Sequence, residues 1–197
     1  MMNKRDVLKL LAAGSTLGLA GCIQSKQNFN AVDITGADYA KDFSLKDANG
    51  ATRTMADFKG KVVVLFFGFA QCPDVCPTTM TEMAQVKQQL GADGDKLQVV
   101  FVTVDPDRDT PEVMKEFLSS SYPRFTGLTG SAQQVDLAKK SFRVFATETA
   151  DPDDPDSYQM PHTAFTYVLG PGGQYLTHFT DAVDEDELVT RLSSLLR

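Results

Sequence analysis

Two cysteines four positions apart, Cys72 and Cys76, are the residues of this sequence best suited to chemistry. They lie in the stretch FFGFAQCPDVCP, after an apolar run and before a segment with a helical pattern. Two thiols at this spacing are compatible with a structural disulfide, a redox-active dithiol or a site for a soft metal ion. In a helical turn their Cα atoms would lie about 6 Å apart, a distance that suits all three.

A purely structural disulfide is the least favoured of the three. Closing so short a loop stabilises a chain by only about 2 kcal/mol, against about 4.7 kcal/mol for a loop of about 100 residues. The cysteines also follow a buried strand, and open α/β sheets bind their ligands at that end of their strands. Cys76 is expected near a helix N-terminus, where backbone N–H groups favour a thiolate.

A third donor for a metal site is His162, one of only two histidines. It precedes a predicted strand, 163–169. If that strand runs antiparallel to the strands that we predict at 61–70 and 97–105, His162 lies at the edge where they end. Two thiolates and one imidazole suit Cu(I) and can hold Cu(II), whereas zinc more often takes a fourth ligand. The other histidine, His178, is interpreted as a surface or partly packed side chain.

Asp105 ends the second predicted strand at the same edge of the sheet. In the simpler interpretation Asp105 only ends the strand, and Arg108 pairs with Asp107 or Asp109. Alternatively, Asp105 adjusts the metal site from behind its ligands. The simpler interpretation is favoured.

The order of predicted elements indicates an α/β fold with a central mixed sheet flanked by helices, and a thioredoxin-like fold is the natural candidate. An N-terminal β-hairpin is predicted around Asn49-Gly50, because this dipeptide is a strong turn signal. Capping residues predict helices that begin after Thr110, Ser131 and Asp184. The acidic stretch 147–161 contains five carboxylates and three prolines and is predicted to be a mobile, solvated loop.

The chain has 197 residues and a formal net charge of −7, which argues against nucleic-acid binding. Residues 1–22 are predicted to be an export signal that ends in LAGC, a sequence that resembles the lipobox of bacterial lipoproteins. Cys22 would then be lipidated; the alternative is an ordinary signal peptide with a chance cysteine. Residues 23–37 are interpreted as a flexible tether and 38–197 as the folded domain.

The stretches FFGFAQCPDVCP, TVDPDRDTPE and HTAFTYVLGPGGQYL, in this order, resemble the Sco (SenC) family of copper-binding assembly proteins. The resemblance covers about residues 38–197. It implies a membrane-tethered, thioredoxin-like domain in which Cys72, Cys76 and His162 bind copper. Ala70-Gln71 departs from the family pattern, where a threonine followed by an aromatic residue or a histidine is frequent.

The resemblance also implies a function and partners. Family members assist assembly of the copper A centre in subunit II of cytochrome c oxidase, so that subunit and a copper donor protein are the expected partners. With a lipid at Cys22, the protein would lie on the exported face of a bacterial membrane.

Two functions remain open from the sequence. The favoured one is a copper metallochaperone, which is not an enzyme. The alternative is a thiol–disulfide oxidoreductase that reduces the cysteines of the oxidase subunit before metal insertion. In either case Cys72 and Cys76 are predicted to form a reversible disulfide in an oxidising compartment.

Overall fold

The computed structural model describes residues 31–33, 36, 38–154, 156–180 and 184–197. Within these ranges the chain forms ten strands and four α-helices. The strands are β1 (Ala31–Asp33), β2 (Leu45–Asp47), β3 (Thr52–Arg53), β4 (Val62–Gly68), β5 (Leu97–Thr103), β6 (Thr126–Thr129), β7 (Thr149–Ala150), β8 (Tyr158–Gln159), β9 (Thr166–Leu169) and β10 (Tyr175–Phe179). The helices are α1 (Val75–Gln89), α2 (Pro111–Ser121), α3 (Ala132–Phe142) and α4 (Glu185–Leu196), with 3-10 turns at Met55–Phe58 and Gly91–Lys96.

Eight of these strands form one mixed sheet in the order β1-β10-β9-β4-β5-β6-β2-β3. Strands β4, β5 and β6 run parallel to one another, and β9 runs antiparallel to β4. The start of β9 therefore lies at the edge where β4 and β5 end, as the sequence predicted. This topology brings His162 and the cysteines to the same edge of the sheet.

Strand β4 lies in the middle of the sheet, and all its residues are buried. Alternate side chains enter two hydrophobic clusters, one on each face of the sheet. The run of apolar residues in its sequence reflects this burial on both faces. Because the cysteine turn continues directly from β4, the most buried strand fixes where that turn begins.

Local sequence signals place the helices as predicted. The side chain of Thr110 accepts a hydrogen bond from the N–H of Val113 and caps α2. Ser131 and Gln134 form a reciprocal capping box at the start of α3. Asp184 caps α4 through the N–H of Asp186. The predicted N-terminal hairpin is also present, with β2 paired to β3 and Gly50 at a φ of 78° in the turn.

Three sequence expectations need correction. Residues 31–33, predicted to belong to a tether, form β1 and pair with β10. Strand β6 was not predicted, because four residues around Gly127 carry too short a pattern. The acidic stretch, predicted to be a mobile loop, contains the antiparallel pair β7–β8. Cys22, the export signal and most of the predicted tether lie outside the described residues.

No helix in the described part of the chain is long and apolar enough to cross a membrane.

Candidate metal centre

The two cysteines lie at the junction of β4 and α1. Cys72 is in the connecting turn, where its N–H donates to the carbonyl of Phe69 at 3.2 Å. Cys76 lies in the first turn of α1 and is fully buried, whereas Cys72 is partly exposed. Gly68 makes room for the Cys76 sulfur, because a Cβ at residue 68 would lie 2.6 Å from that Sγ. The turn thus offers one accessible and one inaccessible thiol.

The two thiols are free and share a hydrogen bond, with opposite effects on their pKa values. The hydrogen bond from Cys76 lowers the pKa of Cys72 to about 5, with help from the N–H groups of Asp74 and Cys76, against partial burial. The same hydrogen bond, together with burial, raises the pKa of Cys76. The expectation that the helix N-terminus favours a Cys76 thiolate is therefore wrong, because the N–H groups there stabilise Cys72 instead. The predicted disulfide stays a prediction.

His162 is held at the start of the β9 segment in a defined tautomer. Its Nδ1 lies 2.9 Å from the carbonyl oxygen of Met160. A carbonyl only accepts, so Nδ1 carries the proton and the neutral ring keeps its lone pair on Nε2. That Nε2 is buried and has no hydrogen-bond partner among the described residues. The ring packs edge-on against Phe69 and Phe66, at centroid distances of 5.7 and 6.4 Å.

Cys72 and His162 line one cleft of about 480 Å³. The other lining residues come from the cysteine turn, from Arg108 and from the acidic segment: Phe69, Gln71, Pro73, Val75, Arg108, Asp151, Ser157, Tyr158, Gln159, Met160, Pro161 and Ala164. In the described ranges, however, no three Cys, His, Asp or Glu side chains are close enough to enclose a metal ion. The structure therefore brings the two thiols together and places His162 beside Cys72, without closing the predicted three-residue set.

The carboxylate of Asp105 is engaged by Arg108 and Tyr158. It forms an ion pair with Arg108 and accepts a hydrogen bond from the Tyr158 hydroxyl at 2.9 Å. The predicted pairing of Arg108 with Asp107 or Asp109 is wrong, because Arg108 forms its ion pair with Asp105 instead. Both partners of Asp105 line the cleft, so Asp105 reaches the site only through them.

A buried carboxyl group that contacts the start of the cysteine turn is that of Asp109, which the sequence analysis missed. It accepts hydrogen bonds from the Ala70 N–H, at 3.1 Å, and from the Thr103 hydroxyl, at 2.6 Å. Burial raises the pKa of Asp109 to about 6, although these two hydrogen bonds oppose the shift. In turn, the negative charge of Asp109 contributes to the raised pKa of Cys76. Nothing in the local pattern VDPDRD distinguishes Asp109 from Asp107.

His178 is a partly buried residue of the sheet, as predicted. Its Nδ1 lies 2.9 Å from the Tyr175 hydroxyl, and its ring stacks on Phe165 at 4.6 Å. Burial lowers the pKa of His178. The ring and one nitrogen of His178 are thus engaged by residues of the β9–β10 side of the sheet, and His178 does not line the cleft.

Comparison with known proteins supports the family resemblance. The SCO1/SenC family profile matches residues 32–197. A SCO2-like protein from Rickettsia felis is 40% identical over 138 residues, which cover 70% of this chain and 67% of that protein. The structure of Bradyrhizobium japonicum ScoI with copper bound is 36% identical, with a TM-score of 0.72 over 80% of this chain and 99% of that one.

A more distant structure agrees in fold. BsSco, a member of the Sco family of cytochrome c oxidase assembly proteins in which a disulfide switch has been identified, is 23% identical. Its TM-score is 0.63, over 84% of this chain and 97% of that one. The fold is the predicted thioredoxin-like one, with a mixed central sheet flanked by helices. The profile match spans most of the chain and includes all three candidate ligands, so this chain belongs to the SCO1/SenC family.

Proposed function

We propose that this protein binds one copper ion through Cys72, Cys76 and His162 and delivers it during assembly of cytochrome c oxidase. One observation carries the proposal: a buried imidazole Nε2 with a lone pair and no partner lies in the cleft of a low-pKa thiol. A metal-ligating histidine usually donates its other ring N–H to a carbonyl or carboxylate. The Nδ1–Met160 contact has this form.

The donor set suits copper as cargo. Thiolates are soft ligands that favour Cu(I), and an added imidazole extends the site to Cu(II). Cys72 is already a thiolate at neutral pH, whereas Cys76 keeps its proton. Copper binding therefore releases the Cys76 proton and draws His162 toward the two sulfurs. The copper-bound ScoI relative, 36% identical, supports the choice of metal.

The acceptor that we propose is the copper A centre of oxidase subunit II, loaded by transfer of copper that a donor protein supplies. Membership of the SCO1/SenC family supports this assignment, because the Sco family is one of cytochrome c oxidase assembly proteins. We further propose that a lipid on Cys22 anchors the domain to the exported face of a bacterial membrane. Replacing Cys22 with Ser should move the protein into soluble fractions; retention at the membrane would argue against the lipid anchor.

Copper titration of the reduced domain and of His162→Ala tests the ligand set. Without the imidazole, two thiolates can still hold Cu(I), but Cu(II) loses a donor that it prefers. We expect about one copper per parent chain, strong loss of Cu(II) from His162→Ala and partial retention of Cu(I). His178→Ala is the matched control and should bind as the parent does. An unchanged Cu(II) spectrum in His162→Ala would rule out this ligand.

A thiol–disulfide reductase is the second candidate, and the unequal pKa values of the two thiols favour it. The Cys72 thiolate would attack a disulfide of the partner, and Cys76 would then attack Cys72, leaving the partner as a dithiol and this chain as a disulfide. His162→Ala separates the two functions, because it keeps the dithiol intact. Oxidase assembly should fail in this variant if delivery of copper is the function, and should largely survive if reduction is.

A further inference from the structure

Arg108 connects the end of β5 to the acidic segment that precedes His162. Its guanidinium forms the ion pair with Asp105, donates to the Tyr158 carbonyl at 3.0 Å and lies over the Tyr158 ring, 3.8 Å from the centroid. The same group lies 5.5 Å from the centre of the Phe69 ring. Arg108 therefore contacts both the β7–β8 hairpin and the turn that carries Cys72.

Asp105 anchors the contacts of Arg108 to the sheet. It is only 2% exposed, and its N–H donates to the Thr103 hydroxyl at 2.9 Å, so the buried end of β5 sets its position. Its carboxylate is shared between Arg108 and the Tyr158 hydroxyl. We call Asp105, Arg108 and Tyr158 the Arg108 cluster. The cluster holds Tyr158 at three points: ring, hydroxyl and carbonyl.

Two short routes lead from the cluster to His162. Along the chain, Tyr158 is two residues from Met160, whose carbonyl fixes the Nδ1 of His162. Between side chains, the centre of the Phe69 ring lies 5.5 Å from the guanidinium carbon and 5.7 Å from the centre of the His162 ring. Two backbone hydrogen bonds, from the Thr147 N–H to the Pro161 carbonyl and from the Thr163 N–H to the Phe145 carbonyl, join the two legs of the hairpin beside His162, at 3.1 and 2.8 Å.

Electrostatics make the hairpin dependent on Arg108. The hairpin carries Glu148 and four aspartates, one of which, Asp151, lines the cleft. Arg108 is the only Lys or Arg among the residues lining this cleft in the described chain. Removing its charge leaves the buried Asp105 carboxylate without its cation, next to an acidic segment, and an unpaired buried charge is costly.

We infer that Arg108 is a positioning residue for His162. Through Tyr158 and Asp105 it holds the hairpin so that the Met160 carbonyl keeps the proton on Nδ1 and leaves the Nε2 lone pair available to a metal ion. This inference rests on the proposed copper site and adds a residue that does not touch the metal. Losing the Arg108 cluster should therefore release the imidazole while leaving both thiols in place.

Metal-free protein at pH 8 gives the first test, by NMR. In Arg108→Gln we expect amide exchange of Thr147 and Thr163 to accelerate by about tenfold or more and the His162 ring to lose its single Nδ1–H tautomer. Tyr158→Phe, which removes one hydroxyl and keeps the ring, should show a smaller change in the same direction. Arg124→Gln removes the same charge from an exposed ion pair with Asp95 and should change neither signal.

Copper binding gives the second test. Cu(II) affinity should fall about 10- to 100-fold in Arg108→Gln, as is usual when a residue that orients a metal-bound histidine is lost. Cu(I) affinity and the alkylation rate of Cys72 should stay close to those of the parent, because no hydrogen bond of the two thiols or of the Cys72 backbone involves Arg108. Arg108→Lys restores the charge but not the stacked, forked contacts. Its Cu(II) affinity should therefore lie between those of Arg108→Gln and the parent.

The inference is overturned if Arg108→Gln and Tyr158→Phe both leave the His162 tautomer and the two amide exchange rates unchanged. It is also overturned if Cu(I) and Cu(II) affinities fall equally, because that indicates general damage to the fold. If Arg108→Gln fails to fold, Tyr158→Phe decides alone. If the parent binds no copper, the proposed function fails, whereas the metal-free exchange rates still decide whether Arg108 positions His162.

Discussion

The thiols and the imidazole of the candidate site are held in different ways. Cys72 and Cys76 follow the most buried strand, and the Cys76 sulfur fills a space that Gly68 leaves free. His162 is reached through a largely exposed hairpin whose anchoring contacts are an ion pair, hydrogen bonds and ring stacking by Arg108. Apolar packing fixes the first pair of donors, and polar contacts fix the third.

This difference predicts which changes separate stability from copper binding. Substitutions in the thiol turn should change the free energy of unfolding and the site together, because the same side chains serve both. Substitutions in the hairpin should change Cu(II) binding with little cost in stability. Each of the following predictions uses the reduced, metal-free protein unless copper is named.

The largest expected effect is on the pH dependence of stability in Asp109→Asn, because Asp109 is a buried titrating group that contacts the thiol turn. Its pKa of about 6 in the folded protein lies above the ordinary aspartate value of 3.8. Below pH 4 the carboxyl is protonated in both states. Between pH 4 and 6 only the unfolded chain ionises, so this residue lowers stability as pH rises, by about 3 kcal/mol in all. Urea unfolding from pH 4 to 7 should show that the free energy of unfolding of the asparagine variant rises relative to that of the parent.

Asp47→Asn is a control of opposite sign. Burial alone would raise the pKa of Asp47, but the N–H groups of Asn49 and Ala51 and the Arg53 guanidinium outweigh it and lower the pKa. The parent should therefore gain stability over this variant as pH rises from the folded pKa of Asp47 to the ordinary value of 3.8, so this comparison extends the unfolding series below pH 4. Equal curves for the parent and Asp109→Asn would contradict the assignment of Asp109.

Alkylation should separate the two thiols by about 100-fold at pH 7, because Cys72 is an accessible thiolate and Cys76 a buried thiol. Mass spectrometry after brief iodoacetamide treatment would locate the label. The Cys72 rate should fall as pH drops through about 5, where its thiolate takes up a proton. Comparable labelling of both cysteines in folded protein would show that the turn is not the packed element described above.

Gly68→Ala tests packing directly. The added methyl would lie 2.6 Å from the Cys76 sulfur and 2.9 Å from the Phe101 ring, and such overpacking costs about 1–3 kcal/mol. Thermal unfolding and Cu(I) affinity should fall together. Gly172→Ala, whose methyl meets only the end of the flexible Gln174 side chain, should change both much less. A stable Gly68→Ala protein with normal copper binding would refute the coupling of fold and site.

The smallest expected effect on copper is that of His178→Phe. The variant loses one hydrogen bond with Tyr175 and keeps the stacking on Phe165, so stability should fall by about 1 kcal/mol. Cu(II) and Cu(I) affinities should match those of the parent. A weakened Cu(II) signal would mean that the sheet side of the molecule contributes to the site after all.

The sequence predicted the buried strands and the capped helices well. The apolar runs and the caps at Thr110 and Ser131 predict elements that the structure contains, because burial and capping are encoded within a few neighbouring residues. The antiparallel course of β9 then places His162 at the correct edge.

The polar contacts around Arg108 and the acidic segment were predicted less well. Arg108 could pair with three nearby aspartates, and only the fold gives it Asp105 while the Ala70 N–H and the Thr103 hydroxyl engage Asp109. Tyr158 lies 53 residues from Asp105 along the chain, and no local pattern links them. The composition of the acidic segment predicted a mobile loop, because the arginine that holds Tyr158 lies outside that segment. The opposed pKa values of the thiols likewise depend on which sulfur the fold exposes.

The pairing of β1 with β10 limits how far the domain can stand from a membrane. If the chain were free from Cys22 to residue 37, as the sequence suggested, the intervening segment could span about 55 Å when fully extended. Strand β1 attaches the chain to the sheet at Ala31, so only nine peptide links separate the proposed lipid anchor from the folded domain. These links reach at most about 30 Å. Copper would then be exchanged close to the bilayer surface, with acceptors whose own metal site lies within the same narrow layer.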